Sequence, residues 1–125
     1  MSVLIDTSVW VEHFRNCNDD LVNLIHRDLG MTHPMVLGEL ACGTPPAPRA
    51  RTLSDIGLLQ MANQASLDEV MNFIEREALY GLGCGWVDMT LLASTLITPS
   101  ATLWTLDKRL NNLSDRFGVS WPASF

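Results

Sequence analysis

Short apolar runs alternate along this chain with longer stretches of helical periodicity. Val3-Leu4-Ile5 is an uninterrupted apolar triplet and reads as a buried strand. Asp6-Thr7-Ser8 supplies helix-start chemistry. Val9, Trp10, Val11 and Phe14 then form the apolar stripe of the helix that follows. Asn18-Asp19-Asp20 opens a second helix, with Leu21, Leu24 and Ile25 on one face and Gly30 as its end. Met31-Thr32-His33 reads as a very short strand. Pro34 suits the first turn of the next helix, which buries Val36, Leu37, Leu40 and Ala41 and stops at Gly43.

Pro45-Pro46-Ala47-Pro48 belongs to a rigid loop, since proline is excluded from helix interiors. A helix over Arg49 to Leu59 follows. Ser66 and Glu69 make a capping box, opening a helix to about Leu79 with Val70, Phe73, Ile74 and Ala78 inward. Gly81-Leu82-Gly83-Cys84-Gly85 lacks the GK[ST] ending of a phosphate loop and the spacing of a dinucleotide fingerprint, so it reads as a turn before a helix. That helix runs from Val87 to about Leu96 and carries Leu91, Leu92 and Thr95; Pro99-Ser100 breaks it. Ala101 to Leu106 is the second clear strand, Asp107 follows at once, and Lys108 to Phe117 is helical up to Gly118. Val119-Ser120-Trp121 adds a last short strand. Strands separated by helices predict an α/β domain, residues 1–125, with a small central parallel sheet flanked by helices.

Composition agrees with a single core. At 125 residues and 47% apolar content, the chain can bury one without disulfides. Cys17, Cys42 and Cys84 are odd in number and lack CxxC spacing; His13, His26 and His33 show no metal-site spacing. The cysteine usage and the absence of a basic, apolar leader point to the cytoplasm, and no apolar stretch is long enough for a bilayer. The net charge of −6 argues against a protein that holds nucleic acid mainly by bulk positive charge, but an acidic metal cluster would contribute to that same total.

Four acids stand out. Asp6 and Asp107 each follow a strand and so share the carboxyl edge of the sheet, where ligands bind in α/β folds. On neighbouring strands they would lie ~5 Å apart, and two such carboxylates repel unless a divalent cation joins them. Glu39 and Asp88 interrupt otherwise apolar helices, which is costly unless they are paired, solvent-facing or metal-bound.

At this point the chain resembles the PIN-domain ribonucleases, in particular the VapC-like toxins of bacterial toxin–antitoxin pairs. The matching pieces are Leu4-Ile5-Asp6-Thr7-Ser8-Val9-Trp10, Val36 to Gly43, Val87 to Ala93, and Leu103 to Leu110, in that order across nearly the whole chain. The resemblance implies metal-binding catalytic acids at Asp6, Glu39, Asp88 and Asp107, with Ser8 and Thr105 in support, bonding metal-held water or substrate. It implies Mg²⁺ or Mn²⁺ as cofactor, hydrolysis of RNA phosphodiesters, a cognate antitoxin and a homodimer. One departure is visible: many relatives carry a further acid near the third motif, where Met89, Thr90 and Leu91 stand here. That bears on how firmly a second metal is held. Lys108, Arg109 and Arg15 are the cations expected to meet RNA, the first two at a helix N-terminus.

Rival chemistries fit less well. A haloacid-dehalogenase phosphatase needs a second aspartate at the position of Ser8, and a receiver domain needs an acidic pair where Asp6-Thr7 supplies one acid. The remaining alternative is an inactive PIN-fold module that binds RNA or protein; four intact acids argue against it.

Overall fold

The computed structural model describes residues 1–122. Its elements are β1 (Ser2–Ile5), α1 (Thr7–Arg15), α2 (Asp19–His26), β2 (Gly30–Thr32), α3 (Pro34–Cys42), α4 (Arg49–Gly57), β3 (Gln60–Met61), α5 (Leu67–Arg76), α6 (Trp86–Leu96), β4 (Ala101–Trp104) and α7 (Lys108–Arg116). The four strands form one parallel sheet in the order β3-β2-β1-β4. β1 is a central strand, and Val3, Leu4 and Ile5 are fully buried, which explains the unbroken apolar run. The expected strand at Val119-Ser120-Trp121 reduces to a single parallel bridge between Ser120 and Leu103.

Local chemistry sets most helix starts. Asn18 accepts from the Leu21 amide, and Ser66 and Glu69 exchange both bonds of the capping box. His33 caps α3: its Nδ1 accepts from the Met35 N–H at 3.0 Å, and its Nε2 lies 3.1 Å from Ser94 Oγ on α6. Since Nδ1 must be the acceptor, Nε2 carries the proton and donates to Ser94.

Several boundaries differ from expectation. Gly30 does not end α2; it begins β2, four residues beyond the last residue of α2, Arg27 being the cap. A Cβ there would come 2.8 Å from Ile25 Cδ1, so close packing rather than helix termination requires the glycine. α5 stops at Arg76, and Ala78 adopts a left-handed conformation (φ 53°) and is exposed, leaving Leu79 to fill the core. Val11 lies toward solvent rather than inward. β4 ends at Trp104, two residues earlier than expected. β3 has no hydrophobic signature, because it is an exposed two-residue edge strand set by pairing with β2. α6 is buried over seven consecutive residues, Met89 to Thr95, so it runs through the core rather than along its surface. Among the described residues no helix is long and apolar enough to cross a membrane.

Candidate active site

The chain passes from β1 outward to β2 and β3, then returns to place β4 on the other side of β1. The direction of winding therefore reverses between β1 and β4, and a crevice opens at their carboxyl ends. Ile5 is in register with Trp104, so the next residues, Asp6 and Thr105, lie side by side at that crevice. The Asp6 amide completes the ladder by donating to the Trp104 carbonyl at 2.9 Å. Because β4 ends early, Thr105 rather than Asp107 is the direct neighbour of Asp6, and Asp107 sits two residues farther along.

Asp6 occupies the N-cap position of α1 but makes no capping bond with its side chain. Instead its Oδ2 accepts from Ser8 Oγ at 2.6 Å and from Thr105 Oγ1 at 2.8 Å. Each hydroxyl has one proton, so both donors are spent on Asp6, and the 3.3 Å contact between the two hydroxyls carries none. The same oxygens accept from the backbone, Ser8 from Leu106 N–H at 3.0 Å and Thr105 from Asp107 N–H at 3.1 Å. Ser8 and Thr105 thus hold the Asp6 carboxylate in place. Asp6 is 5% exposed, and its Oδ1 makes no hydrogen bond among the described residues. A carboxylate fixed through one oxygen, with the other left free to accept, is a poised ligand.

Asp107 caps α7, its Oδ1 accepting from the amides of Arg109 at 2.9 Å and Leu110 at 3.0 Å. Among the described residues its second oxygen makes no such bond. Asp88, in the first turn of α6, reaches back to the Gly85 amide with Oδ2 at 3.3 Å. Burial pushes the Asp88 carboxyl above the usual carboxylate range; the Gly85 amide opposes this, and the charges of Asp6, Asp107 and Glu39 add to it. Four acids from four separate segments therefore share one electrostatic neighbourhood. Glu39 lies on the solvent side of α3, facing the start of α1, where Thr7 Oγ1 donates to its Oε1 at 2.7 Å. Thr7 is a site residue the sequence reading passed over; its only signal was adjacency to Asp6 in the turn from β1 into α1.

The expected cations are all exposed. Lys108 and Arg109 open α7, and Arg15 shares a groove of about 490 Å³ with Val11, Phe14 and Glu39. Cys84 is also near the acids: burial pushes its thiol up, Asp88 and Asp107 reinforce this, and Arg109 opposes it. All three cysteines are free.

Among the described residues no three acids, histidines or cysteines converge closely enough to enclose a cation by themselves. The donor set is nonetheless all oxygen, with free atoms on Asp6, Asp88 and Asp107. That suits an ion such as Mg²⁺, which keeps several of its waters and takes only one or two carboxylates directly.

No family model matches the chain. Two curated proteins, each named Ribonuclease VapC32, from two strains of Mycobacterium tuberculosis, are 39% identical to it over 118 residues, spanning 94% of this chain and 94% of theirs. With the parallel α/β sheet and its acidic switch point in place, that near full-length likeness establishes the chain as a member of the VapC family of PIN-domain ribonucleases.

Proposed function

We propose that this chain is a divalent-metal-dependent endoribonuclease, the toxin of a toxin–antitoxin pair, with Asp6, Glu39, Asp88 and Asp107 as its metal-binding catalytic acids. The observation that carries the site assignment is the gathering of the four acids at the switch point, where burial and the charges of Asp6, Asp107 and Glu39 disfavour the ionised form of Asp88 and a bound cation would favour it. Asp6 and Asp88 offer the direct ligands, and Asp107 and Glu39 complete the shell directly or through water. When bound, Mg²⁺ or Mn²⁺ lowers the pKa of coordinated water and stabilises charge on phosphoryl oxygens.

The chain's own residues supply orientation. Ser8 and Thr105 fix Asp6, and Thr7 fixes Glu39, so neither carboxylate has to reorganise as charge develops. Lys108 and Arg109, at the start of α7, and Arg15, which lines the same groove as Glu39, are the RNA contacts. The cognate antitoxin is a small protein that lays a basic side chain against the acids, and the −6 charge of the chain favours such a partner. The protein works as a cytoplasmic homodimer in this reading, in keeping with its three free cysteines.

The direct test is cleavage of single-stranded RNA by purified protein. Excess chelator is expected to abolish cleavage and Mg²⁺ or Mn²⁺ to restore it. Cleavage that persists in chelator ends the metal assignment, and addition of the neighbouring gene's product without inhibition ends the toxin assignment alone.

A further inference from the structure

The run Gly81-Leu82-Gly83-Cys84-Gly85 joins α5 to α6 and leads directly into the turn that carries Asp88. Two of its glycines have positive φ, Gly81 at 72° and Gly83 at 87°. A Cβ built on Gly81 would meet nothing within 4 Å. One built on Gly83 would stand 2.7 Å from Nη1, 2.8 Å from Cδ and 3.0 Å from Cζ of Arg109. The outer half of the Arg109 side chain therefore lies across the bare backbone of Gly83, and its Nη1 points to the Gly83 carbonyl at 3.5 Å.

This contact lies between the candidate ligands. Arg109 is the second residue of α7, and its amide donates to Asp107. The loop it rests on ends at Gly85, whose amide donates to Asp88. Cys84, between Gly83 and Gly85, feels Asp88, Asp107 and Arg109 together. Among the described residues Arg109 has no carboxylate within ion-pair distance. Its charge is held against the loop that leads into Asp88 and is not neutralised by an acid among the described residues, as a phosphate-binding guanidinium requires.

We propose that Gly83 is a positioning residue for RNA binding: its missing side chain forms the seat that aims the Arg109 guanidinium at an RNA phosphate beside Asp88 and Asp107. A side chain at position 83 displaces the flexible arginine rather than the backbone, so the phosphate contact is lost while the acids stay in place. The inference rests on the ribonuclease reading and assigns to Gly83 a role exercised only through Arg109.

The experiment compares wild type with Gly83→Ala, Gly81→Ala, Arg109→Ala and the Gly83→Ala/Arg109→Ala double variant. It measures KM and kcat on a single-stranded RNA oligonucleotide with Mn²⁺, the salt dependence of RNA binding in excess chelator, and the thermal midpoint. Gly81→Ala imposes comparable left-handed strain with no contact to Arg109, so its thermal midpoint falls while KM and kcat stay at wild-type values. Gly83→Ala and Arg109→Ala are each expected to raise KM about tenfold with kcat within about twofold. Each should also lower the slope of log K against log salt by about 0.7, one single-strand phosphate contact. The double variant should match Arg109→Ala in both readouts. Gly83→Asn, which tolerates left-handed backbone yet carries the same Cβ, replaces Gly83→Ala if that variant does not fold. A Gly83 variant that behaves like Gly81→Ala, or effects that add in the double variant, overturns the role of Gly83 alone. A wild type that neither cleaves nor binds RNA overturns the ribonuclease reading with it.

Discussion

Replacing Asp6 with asparagine separates its two roles, because the geometry makes them chemically distinct. Asp6 lends no side-chain bond to the α1 terminus, so no cap is lost. The amide oxygen of asparagine can still accept the hydroxyls of Ser8 and Thr105, and its NH₂ group then stands where Oδ1 was. Hydrogen bonds to a charged acceptor contribute about 1.5–3 kcal/mol and neutral ones about 1 kcal/mol, so two bonds weaken by roughly 2 kcal/mol in all. Removing one of the acids that disfavour the ionised form of Asp88 returns part of this. The net cost in chelator is therefore below about 2 kcal/mol. For 125 residues, with an unfolding entropy of roughly 0.26 kcal/mol/K, that is a fall in thermal midpoint of less than about 8 °C. Cleavage with Mn²⁺ should fall at least about 100-fold, since an amide cannot supply the ligand charge. Asp6→Ala is the contrast: it strands two donors at about 1–3 kcal/mol each and should lower the midpoint by roughly 10 °C or more. The assay pairs thermal melts in chelator with RNA cleavage in Mn²⁺. Unchanged cleavage in a folded Asp6→Asn protein would refute the ligand role, and a collapse as large as that of Asp6→Ala would refute the hydrogen-bond reasoning.

Two further outcomes follow from side chains that hold the site rather than form it. Thr7→Val keeps the shape of the side chain but removes the bond to Glu39, so cleavage should drop about 3- to 10-fold while stability changes by less than about 1 kcal/mol; an unaltered rate would show that Glu39 needs no orienting. Burial lowers the pKa of His33 below its ordinary 6.5, so the unfolded chain binds the extra proton first. The stability contributed by neutral His33 is complete above pH 6.5 and is lost as pH falls through its depressed folded value, where Nδ1 can no longer accept from Met35. Urea midpoints between pH 7.5 and 5 should decline for wild type and decline less for His33→Asn; parallel declines would assign the acid sensitivity elsewhere.

What was legible in the sequence follows the physics of each signal. Val3-Leu4-Ile5 and the strand at Ala101 are buried on both faces, so their apolar runs announced them. The capping residues Asn18 and Ser66 act through bonds within three residues, and those are local by nature. Gly30 and Ala78 were misread because their roles depend on distant packing and on a backbone conformation that alanine seldom adopts. The four acids could be named from motifs, but the partners of Asp6 could not. Thr105 lies 99 residues away and reaches Asp6 only because β4 returns to pair with β1. Glu39 looked costly inside an apolar helix; in fact it faces outward and is claimed by Thr7, a contact set by how α1 meets α3.

The charge pattern explains how an acidic protein can work on a polyanion. The one ion pair among the described residues, Arg51 with Asp55, is exposed and on α4, where it contributes little. Neither the acids of the crevice nor Arg15, Lys108 and Arg109 are paired with an opposite charge among those residues. Had Arg109 closed onto Asp107 or Asp88, the crevice would be neutral before any ligand arrived, and a cation would have to break that pair to enter. Instead hydroxyls and backbone amides, which carry no net charge, hold the carboxylates in place, and a glycine backbone holds the arginine. Both signs of charge stay available, the negative for a metal ion and the positive for phosphate. Burial and the charges of Asp6, Asp107 and Glu39 disfavour ionised Asp88, and a bound cation would offset both, so the same environment favours loading the site.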